Sequence, residues 1–358
     1  MDRPVLSSQL IAEIQAGDEA LDRGLRGPSR ELSLLKEAGL LSAPLDGDHN
    51  GLGWGTSPDG ARFMLGTLVA LGGASLPIAR LYEGHVNAIK LVTALGTEDQ
   101  RDNVAAMVHD GTLLGVWGAN SQVPVEIVDT DGVLTLCGAK AFASGLGDVG
   151  LAIVTAECSG GLQMILIDAR DPDRADHKDW DVDAMVGSRS GKFNCEGLTA
   201  DRGVQLGSKD ALFLEPAFHG GLWRLAACYA GALARIARLL AGKMKASGQS
   251  SVPQMHHRLG QVAIEAEGAL LWATHACLAV EQAKMPTESA VRAALFAREA
   301  VEANCDRALS LAERSAGTLV HRRGDALGRV MRDLRFYLRQ ADLDGKLALA
   351  THYWIGEY

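Results

Sequence analysis

The run Gly138-Ala139-Lys140-Ala141-Phe142-Ala143-Ser144-Gly145 holds the residues of this chain best suited to chemistry. It reads as the end of a strand that sets a small hydroxyl, Ser144, between an aromatic side chain and a glycine. Backbone N–H groups at such a place can approach a flat ligand closely. The six cysteines (Cys137, Cys158, Cys195, Cys228, Cys277, Cys305) form no C-x-x-C pair and no short framework. A reduced, cytoplasmic setting therefore fits them better than a disulfide scaffold or a zinc site. The N-terminus shows no basic-then-apolar signal pattern.

These residues need elements to position them, and the hydrophobic period shows where those elements change. Residues 5 to 110 read as helices, with Ser57-Pro58 as an N-cap and first-turn proline. Within them, Leu95-Gly96-Thr97-Glu98-Asp99-Gln100 closes one helix and opens the next. Gly96 is expected as a left-handed C-cap, Thr97 as N-cap and Gln100 as its capping-box partner. The pattern then turns to strands. Asp131-Gly132 is a hairpin signal between Val125–Val128 and Val133–Leu136, and Ser159-Gly160-Gly161 is another between Val149–Thr155 and Leu162–Ile167.

From about Gly220 the 3.6 period returns. Leu222, Leu225, Ala226, Tyr229, Leu233, Ile236, Ala237 and Leu240 form one stripe, with Arg224, Arg235 and Arg238 expected on the opposite face. A second stripe runs through Leu259, Val262, Ala263, Ala266, Leu270, Ala273, Cys277 and Val280. Both read as bundle core. Three arginines within residues 220 to 242 make a membrane span too costly. With 358 residues and 47% apolar content, the chain can bury large cores in two or three domains. Its net charge of −9, with no compensating basic block, argues against nucleic-acid or anionic-membrane partners. The expectation is an α+β fold, mostly α, with a helical domain over 1–111, a β-barrel-like domain over 112–217 and a C-terminal four-helix bundle over 218–358.

Several motifs in this order resemble the acyl-CoA dehydrogenase superfamily of flavoproteins. Leu34-Leu35-Lys36-Glu37-Ala38-Gly39-Leu40, the loop from Gly47 to Gly55 and the Gly96-to-Gln100 turn are similar to the family's N-terminal helical domain. Gly115-Val116-Trp117 and Lys140 to Gly145 are similar to its β domain, and Met331-Arg332-Asp333 to its last helical segment. The resemblance implies FAD, with Phe142 where the family places a tryptophan against the flavin and Ser144 where it places a hydroxyl near N5. Ala143 lies between them, and Trp117 falls near the flavin-edge threonine. Read without the family, Trp117 and Phe142 are β-domain core and Ser144 ends a strand.

The resemblance also exposes departures. Acyl-thioester dehydrogenation needs a carboxylate to take the Cα proton, yet Ala341 stands at the commonest position for it, with Asp342 adjacent. Tyr82-Glu83-Gly84 matches the usual local context of the base, but in the wrong domain, where Glu83 also reads as a helix residue. Gly118-Ala119-Asn120-Ser121-Gln122-Val123-Pro124 lacks a hydroxyl the family uses. Arg314 replaces a glutamine that contacts a neighbouring ADP moiety, and Gly317 alone remains of the following glycine run. Three readings stay open: dehydrogenation of a CoA- or carrier-bound acyl thioester, with an electron-transfer flavoprotein or oxygen as acceptor; a flavin oxygenase or N-hydroxylase, which needs no such base; and a catalytically degenerate member. A homodimer or homotetramer is expected, because the family completes its flavin site with a second subunit.

Overall fold

The computed structural model describes residues 6–339 and 343–356. Among the described residues, five helices precede the strands: α1 (Ser8–Asp22), α2 (Ser29–Glu37), α3 (Ala61–Ala74), α4 (Leu76–Leu95) and α5 (Glu98–His109). The strands are β1 (Leu113–Trp117), β2 (Glu126–Thr130), β3 (Val133–Cys137), β4 (Ala139–Lys140), β5 (Val149–Cys158), β6 (Gly161–Asp168), β7 (Ala175–Asp176), β8 (Lys192–Asn194), β9 (Leu198–Asp201) and β10 (Gln205–Leu206). Helices close the chain: α6 (Ala217–Gly220), α7 (Leu222–Ala246), α8 (Pro253–Glu281), α9 (Thr287–Ala316), α10 (Ala326–Leu338) and α11 (Leu343–Gly356). The chain divides into two compact units, one of Gly27–Gly60 with Arg80–Phe218, the other of Leu6–Arg26, Ala61–Ala79 and the described residues from His219 onward.

In the first unit a mixed sheet runs β10-β6-β5-β2-β3-β9, with β1 pairing β5 in parallel, and a three-stranded sheet runs β4-β8-β7. Local chemistry explains much of it. Asp131 and Gly132 take φ of 53° and 90°, the left-handed pair that a two-residue hairpin between β2 and β3 demands. Ser159-Gly160 also links β5 and β6 in two residues, with only Gly160 left-handed (φ 75°). The capping box forms, with Gln100 N–H donating to Thr97 Oγ1 (3.2 Å) and Thr97 N–H donating to Gln100 Oε1 (3.1 Å). The Gln100 amide also donates to the Gly203 and Gln205 carbonyls at 2.7 and 2.9 Å, tying α5 to the β10 segment. Ile89, Val92, Val104, Val108, Leu114, Ile153 and Met164 form the core between α4, α5 and the sheet.

Two local expectations fail. Gly96 is not left-handed: its N–H closes α4 onto the Val92 carbonyl at 2.8 Å, and the chain enters the Thr97 cap directly. Pro58 does not open a helix, since α3 starts at Ala61; Ser57 bonds instead within a turn, donating to Gly53 O (2.9 Å) and accepting from Gly60 N–H (3.3 Å).

The second unit is helical. Helices α3 and α7 cross closely, because Gly72 and Gly231 leave no room for side chains; a Cβ on Gly231 would fall 2.0 Å from the Val69 carbonyl oxygen. Residues 223–233 of α7 are buried without a break. Arg224 is therefore not on an outer face as its spacing suggested. It is buried and paired with Glu281 at 3.2 Å, the same carboxylate that accepts from the Trp223 indole N–H. Surrounding helices override the one-sided pattern there. On α8, Val262, Ala266, Ala273, Cys277 and Val280 are buried as the stripe implies, while Ala263 faces outward. The segment Ala217–Ala246 is long and apolar enough to cross a membrane by composition, but 61% of its most apolar window is buried inside the structure.

Candidate functional site

The loop after β4 is built under strain. Phe142 adopts a left-handed backbone (φ 52°) and leaves 63% of its surface exposed, its ring meeting Trp180 edge-on at 6.1 Å. Met185 (φ 55°) and Arg189 (φ 44°), in a second loop, are left-handed too. For residues with a Cβ this conformation costs on the order of 1–3 kcal/mol each, and it persists only where the surroundings enforce it. Here the two loops are laced together: Ala143 N–H donates to Gly191 O (2.9 Å), Gly145 N–H to Ser188 O (2.8 Å) and Leu146 N–H to Arg189 O (3.0 Å). Arg189 is held from the side by Asp148 at 3.6 Å and by the His177 ring at 3.2 Å. Burial raises the Asp148 carboxyl above its ordinary value, opposed by the Ser29 hydroxyl and Arg189.

Alternate N–H groups of this loop have different fates. Those of Ala143 and Gly145 are spent on the facing loop, whereas those of Phe142 and Ser144 meet no acceptor among the described residues. These two N–H groups, beside a left-handed turn, are left available to the acceptor edge of a ligand. The Ser144 side chain is half-buried beside them and receives a hydrogen bond from Ser190 Oγ at 3.1 Å.

Behind the loop, Trp117 is buried against Phe193 (5.0 Å between rings) and its indole N–H donates to the Ser144 carbonyl at 3.1 Å. It therefore aims the loop rather than presenting a free face. Lys140 is fully buried, its ammonium donating to Asn120 Oδ1 (2.6 Å), Thr155 Oγ1 (2.7 Å) and Gly118 O (3.2 Å), which fixes the 118–120 segment. Burial pushes its pKa down to about 8. His85 clips α4 to β1, donating from Nε2 to Leu41 O (2.8 Å) and accepting Leu114 N–H at Nδ1 (3.0 Å); burial lowers its pKa to about 4, so it stays neutral.

The structure brings Trp117, Phe142, Ala143 and Ser144 together at this loop. A crevice beside Trp117 and Ser144, with room for about one water at 10 Å³, is walled by Arg80, Leu81, Gly84 and Val149. Glu83, next to that wall, is buried and bonded to both Arg80 and Asn87. Arg314 is exposed in the last turn of α9, and Gly317 caps that helix with φ 64° in open space; both belong to the second unit. Asp342 and Ala341 lie outside the described residues. Neither the placement of Ser188 and Ser190 nor the anchoring role of Lys140 is legible in the sequence. The small, hydroxyl-rich run Gly187-Ser188-Arg189-Ser190-Gly191 signals a loop, but nothing local shows what it faces.

An isoalloxazine is a planar ring with a hydrogen-bonding edge and apolar faces. The unspent N–H groups, the Ser144 hydroxyl and the exposed Phe142 ring suit that shape and polarity. No protein-family model matches the chain, and no curated protein sequence matches it. Solved structures match it along nearly its whole length. Methanesulfinate monooxygenase MsuC from Pseudomonas fluorescens aligns with a TM-score of 0.82 at 18% identity, covering 99% of this chain and 98% of that one. TdsC from Paenibacillus sp. A11-2, in complex with FMN and indole, gives 0.80 at 17%, covering 98% and 96%. Butyryl-CoA dehydrogenase from Megasphaera elsdenii gives 0.78 at 15%, covering 99% and 100%. The chain thus has the acyl-CoA dehydrogenase fold, shared by dehydrogenases and monooxygenases, and the likeness read from its motifs holds at the level of the fold.

Proposed function

We propose that this protein is a flavin-dependent oxidoreductase that holds the isoalloxazine edge on the Phe142–Ser144 loop and oxygenates a small organic substrate. A reduced flavin held there would supply two electrons to molecular oxygen, so that, with two protons, one oxygen atom would pass to the substrate and the other would leave as water. The observation that carries the flavin reading is the pair of unspent N–H groups, Phe142 and Ser144, beside a hydroxyl in a strained turn. Oxygenation needs no protein base for a Cα proton, whereas Glu83 is held by Arg80 and Asn87, so dehydrogenation would rest on Asp342. Two of the structures with this fold, MsuC and TdsC, are monooxygenases by name, and TdsC holds FMN.

Dehydrogenation of a CoA- or carrier-bound acyl thioester, with electron-transfer flavoprotein as acceptor and Asp342 as base, is the second reading, supported by the likeness to butyryl-CoA dehydrogenase. The exposed guanidinium of Arg314 suits a diphosphate, which FAD has and FMN lacks. Assembly as a dimer or tetramer is supported by α8, where Ile264 and Leu271 are 70% and 68% exposed.

Titration of the flavin-free protein with FMN and with FAD, followed by visible absorbance, tests the first step; no binding of either refutes the flavin reading. The reaction is then decided anaerobically. An oxygenase takes its electrons from a separate reductant, so acyl thioesters leave the oxidised flavin coloured. Bleaching by any of them refutes oxygenation, and its loss in Asp342→Asn assigns that residue as the base.

A further inference from the structure

Ser188 and Ser190 are buried hydroxyls, 1% and 3% exposed, on either side of left-handed Arg189. Across that residue their oxygens lie 2.9 Å apart. Ser190 Oγ then donates to Ser144 Oγ at 3.1 Å, completing a chain of three hydroxyls from the interior to the ligand-facing loop. A serine hydroxyl has one proton and two lone pairs. If Ser188 donates to Ser190 and Ser190 to Ser144, each buried proton is used and Ser144 keeps its own proton to offer outward. Among the described residues the Phe142 carbonyl oxygen lies 3.5 Å from Ser144 Oγ, too far to hold that proton firmly.

We propose that Ser190, backed by Ser188, is a positioning residue that holds the Ser144 hydroxyl as a hydrogen-bond donor to oxidised flavin. This rests on the flavin reading above. The flavin N5 accepts a hydrogen bond when oxidised and carries a proton when reduced, so a fixed donor beside it favours the oxidised form. No proton is transferred in this role; only the direction of three O–H bonds is set. Donors in series also polarise one another, so the two buried serines strengthen the bond that Ser144 makes.

Flavin affinity, midpoint potential and visible spectrum of Ser190→Ala, Ser190→Thr, Ser144→Ala and the double variant Ser144→Ala/Ser190→Ala test the role, alongside thermal unfolding of the flavin-free proteins. Ser190→Ala is expected to weaken oxidised-flavin binding about five-fold, the effect of one ordinary hydrogen bond. Reduced flavin is expected to bind as before, which raises the two-electron midpoint potential by about 20 mV. Ser190→Thr retains the wild-type values, and the double variant is no weaker than Ser144→Ala. Unchanged affinity and spectrum in Ser190→Ala, equal losses for both redox states, or losses that multiply in the double variant each overturn the role of Ser190. Failure of the wild type to bind FMN or FAD overturns the flavin reading and this role with it.

Discussion

Gly145 and Gly147 offer a controlled pair for testing how the candidate loop is held. Both are left-handed, with φ of +79° and +82°. A methyl group on Gly145 would stand 2.8 Å from Val149 Cγ2 and 3.1 Å from Leu81 Cδ2, whereas on Gly147 it would meet nothing closer than Arg189 Nη2 at 3.4 Å. Val149 cannot easily yield, because it is buried in β5 and a β-branched side chain has few rotamers. An alanine forced into the left-handed region costs about 1–2 kcal/mol. Restricting the unfolded chain returns about 0.4–1 kcal/mol, so Gly147→Ala is expected to lose about 0–1.6 kcal/mol. Gly145→Ala adds an overpacking cost of about 1–3 kcal/mol, for a total of about 1–4.6 kcal/mol. Relief of the clash must also displace Ser144 by roughly the 0.5 Å that binding constellations tolerate, so flavin affinity is expected to fall about ten-fold in Gly145→Ala alone. Urea unfolding of the two flavin-free variants and flavin titration of each give the comparison. Equal destabilisation of the pair, or unchanged flavin affinity in Gly145→Ala, would refute the packing argument.

Phe142→Gly should be more stable than wild type by up to about 1 kcal/mol in urea, because it relieves a left-handed Phe, and yet bind flavin more weakly; a loss of stability would show that Phe142 is not strained. His49, bonded to Asp46 at 2.6 Å and Asp102 at 3.2 Å, has its pKa raised, first by the Asp46 hydrogen bond. The folded state therefore binds the proton more tightly: the stabilisation is complete below the ordinary histidine value of about 6.5 and is lost as pH rises through the higher folded value. Thermal melts across that range should show wild type losing its advantage over His49→Gln, and an advantage that grows with pH would contradict the assignment. For assembly, Ile264→Glu/Leu271→Glu is expected to shift the protein to monomer in light scattering at micromolar concentration; an oligomer of unchanged mass would place the interface elsewhere.

Where a feature depends on residues within a few positions of each other, the chain declares it. The Thr97–Gln100 capping box and the Asp131-Gly132 hairpin are of this kind, since side chain and backbone partner are three residues apart or adjacent. The order of helices, strands and helices follows from periodicity, and the motif likeness pointed to the fold across almost the whole length. The Phe142–Ser144 loop was also visible, as a hydroxyl between an aromatic residue and a glycine. Arg224 shows the limit of such reading: its spacing puts it opposite the apolar stripe, but the first half of α7 is enclosed on every side, and Glu281, 57 residues away, supplies its partner.

The sequence by itself therefore determined the local stops and starts, the succession of elements and the chemical types present at the loop. Only the tertiary structure decided that Ser188 and Ser190 converge behind Ser144, that Trp117 spends its indole N–H on the loop's own backbone, and that Glu83 is tied up by Arg80 and Asn87. The reason is physical: left-handed residues such as Phe142 and Arg189 are unfavourable in isolation and exist because contacts distant in sequence hold them, so no local propensity announces them.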